Sequence, residues 1–265
     1  MSCLTATKDR LAHLRGAIRC YLDQTYEPRE MVIATDGSPW FRGAVRRHLA
    51  ELDRDDIRLV ELDEGEGLTL GAVRNRLLDA ARGEILCQWD DDDLSHPRRL
   101  AAQVAHLQAE GADACVLNDQ LHFFQESREL VWVDWANGPW EGMLRAIPGT
   151  LLMRAGLGVR YPEEGPHARA GEDSALLADV WARGSVAELR GAGDLSVYTF
   201  HGGNTFDEAH HRGISRDRVA ALDATPELEA RLRDTLSYYT LAYPLAVRVN
   251  ALGTFFAYGG PGHEG

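Results

Sequence analysis

Four consecutive carboxylates follow a short apolar run in Glu84-Ile85-Leu86-Cys87-Gln88-Trp89-Asp90-Asp91-Asp92-Asp93. The apolar part, residues 85–89, has the length and composition of a buried strand. In an open α/β sheet, ligands bind in the crevice at the carboxyl ends of the strands. Four carboxylates at such a place repel one another and are costly to desolvate unless a cation compensates them. Because oxygen ligands favour a hard cation, the stretch predicts a site for Mg²⁺ or Mn²⁺.

A solvated acidic turn before a helix is the alternative interpretation, because Asp also suits the amino-terminal end of a helix. Two familiar metal motifs fit poorly. An EF-hand loop that began at Asp90 would need an oxygen ligand, Gly and Glu at its fifth, sixth and twelfth positions, where the chain has Leu94, Ser95 and Ala101. A zinc site would need several His or Cys residues at short spacing, and only His96 is near.

Length and charge limit the class of protein. The 265 residues allow one large domain or two small ones, and 45% of them are hydrophobic. The 28 basic and 41 acidic residues give a net charge of −13, which argues against a nucleic-acid surface because phosphate binding uses clustered Lys and Arg. A nucleotide ligand remains compatible, since a metal ion can neutralise its phosphates.

Cysteine usage and hydropathy indicate the compartment. The four cysteines are scattered without a Cys-x-x-Cys pair, which favours reduced thiols in the core. The first residues lack the basic and apolar regions of a signal peptide, and no long uncharged apolar run could form a spanning helix. We therefore expect a cytoplasmic enzyme.

Strand-like and helical segments alternate four times in the first 110 residues. The predicted strands are Ser2–Ala6, Met31–Ala34, Ile57–Leu62 and Ile85–Trp89, and the predicted helices are Leu11–Leu22, Phe41–Leu52, Leu70–Ala81 and Pro97–Glu110. This alternation is typical of βαβ units, so the sequence predicts an α/β fold with a mostly parallel central sheet flanked by helices.

After Gly111 the pattern changes to a smaller, antiparallel portion. Strands are predicted at residues 114–121, 129–133, 150–154, 186–189 and 195–200. Residues 161–170 have the composition of an irregular loop, and Gly171-Glu172-Asp173 opens a helix that continues to Arg183. A helical stretch at residues 227–236 and an aromatic segment at 238–258 form a carboxyl-terminal tail.

Seven short motifs occur in the order found in the inverting glycosyltransferases of family 2, which have the GT-A fold, and the chain resembles that family. They are Thr7-Lys8-Asp9-Arg10, Gln24-Thr25-Tyr26, Asp36-Gly37-Ser38, Arg74-Asn75, the four acids with Pro97 and Arg99-Leu100, Gly171-Glu172-Asp173, and His201-Gly202-Gly203-Asn204. The resemblance implies a GT-A domain at 1–206, with a nucleotide-binding half at 1–110 and an acceptor and catalytic half at 111–206. Residues 207–265 would form a helical and aromatic extension.

The resemblance implies a site for a nucleotide diphosphate sugar, with UDP-sugars favoured and other bases left open. Asp36 would bond the base, Thr7 and Arg10 would line the same pocket, and Arg74 would reach the diphosphate. Without the family, Asp36-Gly37-Ser38 is an ordinary turn and Arg74 a solvated residue on a helix face.

The family's Asp-x-Asp pattern is filled by Asp90 and Asp92. Asp92 would contact Mn²⁺ or Mg²⁺ directly, and Asp90 or Asp91 would hold the ribose or the waters of the metal, with Asp90 a further metal ligand. The resemblance makes His201 a third metal ligand, with Gly202 and the next glycine letting the loop close over the nucleotide. A histidine in an ordinary turn is the alternative.

The family's general base corresponds to Asp173, and Glu172 is the alternative candidate. A base must lie within hydrogen-bond reach of the acceptor hydroxyl, on the face opposite the departing diphosphate. The family implies in-line displacement with inversion. An acid that only caps the helix is the simpler interpretation of Asp173.

Two other functions are weighed against glycosyl transfer. A nucleotidyltransferase that makes nucleotide sugars would need a Gly-rich phosphate loop after the first strand, and Thr7-Lys8-Asp9-Arg10 has no glycine. A non-catalytic module that binds sugars or nucleotides is disfavoured by Asp173 together with the four acids. The acceptor is left open between a glycan, a lipid-linked sugar and a small molecule.

The aromatic segment at 238–258 has Arg248 as its only charge. It would cover the acceptor side, contact a second copy in a homodimer or touch the inner face of a membrane, or else pack on its own domain. Trp132, Trp135 and Trp140 are candidates for stacking on sugar rings, and burial in the core is the alternative.

Overall fold

The structure, a computed structural model, describes residues 1–63, 67–136 and 146–262. The first half contains the strands β1 (Ser2–Ala6), β2 (Glu30–Thr35), β3 (Ile57–Glu61) and β4 (Ile85–Gln88), and the helices α1 (Leu11–Leu22), α2 (Pro39–Leu52), α3 (Leu70–Ala80) and α4 (Arg99–Ala109). These eight elements confirm the predicted alternation, and their ends lie within two residues of the predicted ones. Within the described ranges, no helix is long and apolar enough to cross a membrane.

The rest of the chain adds shorter elements. The strands are β5 (Leu94–Ser95), β6 (Ala114–Leu117), β7 (Asp119–Phe124), β8 (Glu129–Asp134), β9 (Leu152–Arg154), β10 (Val186–Leu189), β11 (Ser196–Phe200), β12 (Leu245–Arg248) and β13 (Phe256–Tyr258). The helices are α5 (Glu172–Arg183), α6 (Glu208–Asp217) and α7 (Pro226–Leu236).

The larger sheet has the strand order β10-β6-β9-β4-β1-β2-β3, and β9 alone runs antiparallel to its neighbours in the described part. In its centre Cys3 aligns with Met31 on one side and with Cys87 on the other. These three side chains are fully buried, as expected for parallel strands that are covered on both faces. The central sheet therefore follows directly from the apolar runs of the sequence.

The single strand predicted at residues 114–121 is wrong, because the chain changes sheets at Asn118. Its backbone N–H donates to Leu189 O at 3.2 Å, and its carbonyl accepts from Trp135 N at 2.7 Å. β6 thus belongs to the larger sheet and β7 to the second sheet. Both strands are buried, and only Asn118 separates them in sequence, so the sequence pattern did not reveal the break.

The second sheet is mixed, with the order β13-β12-β8-β7-β11-β5. The tail supplies two of these strands, since β12 pairs in parallel with β8 and β13 pairs antiparallel with β12. Helix α7 forms the helical stretch predicted at residues 227–236, and α6 was not predicted as a helix. The aromatic segment was predicted only as an extension, and the structure shows that it completes a sheet.

Most aromatic side chains of the tail pack inside the molecule. Tyr239, Phe256 and Tyr258 share a core with Trp132, and each of the four is at most 8% exposed. The structure thus favours the alternative in which the tail packs on its own domain. Trp132 is likewise core and donates its indole N–H to a buried carboxylate, whereas Trp140 lies outside the described residues.

A buried carboxylate fixes α7 to the second sheet. Asp194, 1% exposed, accepts hydrogen bonds from Arg231 Nε at 2.9 Å and from Thr235 Oγ1 at 3.0 Å. Its backbone carbonyl accepts from the Tyr239 hydroxyl at 2.6 Å. These bonds join the helix and the start of the aromatic segment to the 3₁₀ turn Gly193–Leu195.

Candidate active site

The candidate site lies where β1, β2 and β4 end. These three strands are neighbours and run parallel, so their carboxyl ends meet at one edge of the sheet. Thr7 follows β1, Asp36 follows β2, and the acids Asp90–Asp93 follow β4 by one residue. The predicted acids therefore lie together at the strand ends, which is where open α/β sheets bind their ligands.

The loop after β1 holds the acid cluster. Thr7 Oγ1 donates to Asp91 Oδ2 at 2.6 Å, and the guanidinium of Arg10 donates to Asp91 Oδ1 at 2.5 Å and to Asp92 Oδ2 at 2.8 Å. Thr7 and Arg10 were expected to line a pocket around Asp36. Their hydrogen bonds instead direct both side chains towards Asp91 and Asp92.

Asp91, Asp92 and Asp93 have shifted pKa values because they are buried close together. Burial, followed by the charge of Asp92, raises the pKa of Asp91 to about 7. Burial also raises the pKa of Asp93 well above its usual range. At Asp92 burial opposes ionisation, yet the hydrogen bond from His201 and the charge of Arg10 lower the pKa. Two guanidinium groups, those of Arg10 and Arg74, thus face four carboxylates, and an added cation would favour the ionised acids.

His201 lies on the far side of Asp92, with Nε2 at 3.3 Å from Asp92 Oδ2. The backbone N–H of Gly203 donates to its Nδ1 at 3.2 Å. Nδ1 therefore accepts a hydrogen bond and carries no proton. Nε2 carries the proton of the ring and donates a hydrogen bond to Asp92 Oδ2. Direct metal ligation by Nε2 would need the other tautomer, whose protonated Nδ1 could not accept from Gly203.

Asn204 closes the loop that carries His201. Its Oδ1 accepts from the backbone N–H of His201 at 3.0 Å, and its Nδ2 donates to the Tyr198 hydroxyl and to Thr199 O, both at 3.0 Å. The sequence contained Asn204 only as the end of a motif. The ring of His13, 4.4 Å from that of His201, was missed because a histidine on a helix face carries no sequence signal.

Arg74 joins the acid cluster to the start of α5. Its Nη2 donates to Asp90 Oδ1 at 2.9 Å, and its Nε donates to Glu172 Oε1 at 3.0 Å. The residue is 8% exposed, so the solvated interpretation of Arg74 is wrong. Asp90 also accepts from Gln88 Nε2 at 3.0 Å, so each of the two Asp-x-Asp carboxylates is held by two side chains, Asp90 by Arg74 and Gln88 and Asp92 by Arg10 and His201.

Asp173 lies in the first turn of α5, behind Gly171, whose φ of 80° needs a residue without a side chain. Its Oδ1 accepts from Ser174 N at 2.6 Å, so it does serve the helix start. Burial raises the pKa of both Asp173 and Glu172. Glu172 is 3% exposed and hydrogen-bonded to Arg74, whereas Asp173 is only half-buried, so the carboxylate of Asp173 is the more accessible of the two.

A close backbone approach completes the wall of the site. A Cβ atom at Gly149 would lie 2.9 Å from Asp90 Oδ2, so the 3₁₀ turn Pro148–Thr150 reaches the acids only because residue 149 is glycine. No local pattern predicts this contact, since Gly149 is far from the acids along the chain.

The residues at the site suit a metal ion that takes some of its ligands from the protein and the others from a substrate. Within the described ranges, no three His, Cys, Asp or Glu side chains form a ready set of ligands. Mg²⁺ and Mn²⁺ are commonly bound through one or two carboxylates plus substrate phosphates and water. Asp92, between Arg10 and His201, fits such a role.

A model of the family described as Glycosyl transferase family 2 matches residues 2–159 of the chain. The chain belongs to this family. The match covers β1 to β4, the acid cluster and Arg74, and the resemblance inferred from the seven motifs is thereby confirmed.

Two curated relatives from Bacillus subtilis (strain 168) match part of this glycosyl transferase family 2 chain. The putative glycosyltransferase EpsE is 33% identical over 95 residues, which are 36% of this chain and 34% of the relative. The putative glycosyltransferase EpsH is 31% identical over 97 residues, or 37% and 27% of the two chains. The matches therefore span about a third or less of each relative's length.

Solved structures share the fold at low identity. Residues 1–349 of TarS from S. aureus, in complex with UDP-GlcNAc, superpose with a TM-score of 0.59 at 16% identity, over 89% of this chain and 79% of that one. The mannosyltransferase PcManGT from Pyrobaculum calidifontis, in complex with GDP-Man and Mn²⁺, gives a TM-score of 0.55 at 16% identity, over 79% and 59%. These likenesses confirm the predicted GT-A-type α/β fold.

Proposed function

We propose that this protein is a metal-dependent inverting glycosyltransferase that moves a sugar from a nucleoside diphosphate sugar to an acceptor hydroxyl. The bridge made by Arg74 carries this proposal, because it ties Asp90 of the acid cluster to Glu172, the neighbour of Asp173. A candidate base thereby stands beside the candidate metal carboxylates. Family membership supports transfer, and the UDP-GlcNAc and GDP-Man of the solved relatives support a nucleotide-sugar donor.

The acid cluster would hold the donor through its diphosphate. Asp92 is the first candidate for metal contact, with Asp90 and a rearranged His201 as further ligands. A bound Mg²⁺ or Mn²⁺ would neutralise the diphosphate as it leaves. Arg10 and Arg74 already lie at the carboxylates, where their guanidinium groups would bond the phosphate oxygens.

The acceptor would be activated by Asp173. As the acceptor oxygen attacks the anomeric carbon, its proton passes to the Asp173 carboxylate and the bond from that carbon to the diphosphate oxygen breaks. Attack from the face opposite the diphosphate inverts the anomeric configuration. Arg74 fixes Glu172, and through it the first turn of α5, relative to the acids.

Asp92→Ala is expected to abolish the part of nucleotide binding that depends on metal. Wild-type protein should gain thermal stability from UDP or GDP in Mn²⁺ and much less from either in EDTA, because a metal ion held by Asp92 would help to bind the phosphates. Differential scanning fluorimetry measures the shift. Asp55→Ala, at an exposed acid distant in sequence from the cluster, is the control. A full Mn²⁺-dependent shift in Asp92→Ala would assign the metal contact to another residue.

Transfer is expected to fall at acid pH with an apparent pKa above that of an ordinary aspartate, about 3.9. Burial raises the pKa of Asp173, and a general base works only when ionised, so activity is lost as the pH falls through that raised pKa. The dependence of kcat/KM on pH, from about pH 4 to pH 8, measures it. A rate that stayed constant down to pH 4 would contradict the role of Asp173.

A further inference from the structure

We propose that Tyr161 is a positioning residue for the acid cluster: its hydroxyl fixes the side-chain amide of Gln88 so that an N–H group of that amide holds Asp90. The inference rests on the proposed function, since it assumes that Asp90 helps to hold the metal ion that accompanies a nucleoside diphosphate sugar. It concerns a residue of the loop before α5 that none of the seven sequence motifs contains.

The backbone of Tyr161 is held on both sides by one side chain of α3. Asn75, which is 2% exposed, accepts from Tyr161 N at 3.0 Å and donates to Tyr161 O at 2.9 Å. A side-chain amide that bonds both the N–H and the carbonyl of one residue pairs with it as a residue of a neighbouring strand would. Gly71 N also donates to Ala168 O at 3.0 Å. The loop is therefore fixed on α3, and the side chain of Tyr161 has a defined direction.

The side chain of Tyr161 points to the last residue of β4. The guanidinium carbon of Arg74 lies 5.6 Å from the centre of its ring, which is a cation–π distance. The hydroxyl donates to Gln88 Oε1 at 3.2 Å. Burial raises the pKa of the Tyr161 hydroxyl, so the group keeps its proton at neutral pH and remains a hydrogen-bond donor.

The bond from Tyr161 stabilises one orientation of the Gln88 amide. With Oε1 turned to the hydroxyl, Nε2 donates to Asp90 Oδ2 at 3.0 Å. A flipped amide would place Oε1 against the Asp90 carboxylate, where two acceptors repel each other. Because Gln88 is 4% exposed, water has little access to compensate a lost hydrogen bond. The hydroxyl therefore favours the orientation in which the amide serves Asp90.

Asp90 is thereby held at both carboxylate oxygens. Its Oδ1 accepts from Arg74 Nη2 at 2.9 Å, and its Oδ2 accepts from Gln88. Each carboxylate oxygen has two lone-pair sites, so a carboxylate held in this way can still bind a metal ion or one of its waters. Groups that orient a metal-binding carboxylate typically contribute about 10- to 100-fold to metal affinity. Tyr161 acts on Asp90 in this way, through Gln88.

The metal dependence of nucleotide binding tests the inference. Whichever of UDP, GDP, CDP and ADP the wild type binds is kept at a fixed concentration while Mn²⁺ is varied, and scanning fluorimetry records the thermal shift. Tyr161→Phe keeps the ring beside Arg74 and removes only the hydroxyl. The Mn²⁺ concentration that gives half of the full thermal shift should rise about tenfold, because the amide of Gln88 loses its fixed orientation towards Asp90.

A double-mutant cycle identifies the residue through which Tyr161 acts. Gln88→Met removes the N–H donor to Asp90 and should by itself raise the Mn²⁺ concentration at half shift by at least about tenfold. In the Gln88→Met background, Tyr161→Phe should change that concentration by less than about twofold, because the path to Asp90 is already broken. Effects of the two substitutions that simply multiply would overturn the inference.

Tyr21→Phe is the matched control. Tyr21 is 0% exposed and its hydroxyl donates to Asp56 Oδ2 at 2.9 Å, so this substitution also removes one hydrogen bond between a buried tyrosine and a side chain. Asp56 directly precedes β3 and so lies at the amino ends of the parallel strands, opposite the acid cluster. The control should leave the Mn²⁺ dependence unchanged. An equal rise in Tyr21→Phe and Tyr161→Phe would contradict a specific role of Tyr161.

The outcomes separate the inference from the proposed function. A wild-type Mn²⁺ dependence in Tyr161→Phe, with the nucleotide still bound, would overturn the positioning role and leave the glycosyltransferase proposal standing. Failure of all four nucleotides to bind to the wild type, or binding that does not depend on Mn²⁺, would overturn the metal-dependent function proposed above and this inference with it.

Discussion

Asp173→Asn is expected to lower the rate of transfer by about 10²- to 10⁴-fold while donor affinity stays nearly unchanged. A general base acts mainly in the transition state, so its loss affects turnover more than binding. The asparagine keeps the size of the side chain and an Oδ1 that can accept from Ser174 N, as Asp173 does now. The helix start should therefore survive, and what is lost is the ability to take a proton.

The rate is measured as nucleoside diphosphate released during transfer to an acceptor, and donor affinity by calorimetry. Asp179→Asn makes the same change later in α5 and should be neutral. If Asp173→Asn kept more than about a tenth of the wild-type rate, the base would lie elsewhere, with Glu172 the first alternative.

Glu172→Gln separates the two neighbouring acids. Glu172 holds Arg74 through Nε at 3.0 Å, and a glutamine keeps an acceptor but loses the charge, so the variant should hold the guanidinium less firmly and weaken donor binding together with the rate. Asp173→Asn should change the rate alone. A normal donor affinity in Glu172→Gln would show that Arg74 holds its position through Asp90 only.

The first half of the fold, residues 1–110, could be predicted because its signals are local. Each central strand is an apolar run of four to six residues, and each following helix has its own amphipathic period. Parallel βαβ units then leave few arrangements. The position of Asp36 and of the four acids at one edge follows from that topology, whatever their chemical role.

Pairing between strands that are distant in sequence could not be predicted. β12 joins β8 across more than a hundred residues, and nothing in the aromatic segment identifies its partner. The change of sheet at Asn118 is set by bonds to Leu189 and Trp135, which lie 71 and 17 positions further along the chain. Periodicity describes which face is buried and not which strand lies alongside.

The directions of the side chains within the site could not be predicted from the sequence either. Residue types predicted that Arg10 and the acids would serve one ligand, but the structure directs Arg10 to Asp91 and Asp92. The tautomer of His201 depends on the backbone N–H of Gly203. The pairing of Lys8 with Asp36 joins two loops that lie 28 residues apart, and no local pattern encodes such contacts.

Deletion of the chain from residue 237 onward is expected to unfold the protein. The deletion removes β12 and β13 and exposes the side chains that pack against Trp132 and β8. Tyr239, Leu245 and Phe256 are among those lost, and each fully buried side chain of this size contributes about 1.5–3 kcal/mol. The total is comparable with the whole stability of a domain, about 5–15 kcal/mol. Soluble yield and circular dichroism measure the loss.

Two alanine substitutions in the tail test this at a milder level. Leu245 is 1% exposed and lies in the core that contains Trp132, whereas Leu252, seven positions later, is 94% exposed. Leu245→Ala should lower the free energy of unfolding by about 2–5 kcal/mol, because it leaves a cavity. Leu252→Ala should change it by less than about 0.5 kcal/mol. Urea denaturation measures both values, and equal effects, or a cooperative transition retained after the deletion, would mean that the tail is an appended segment outside the core.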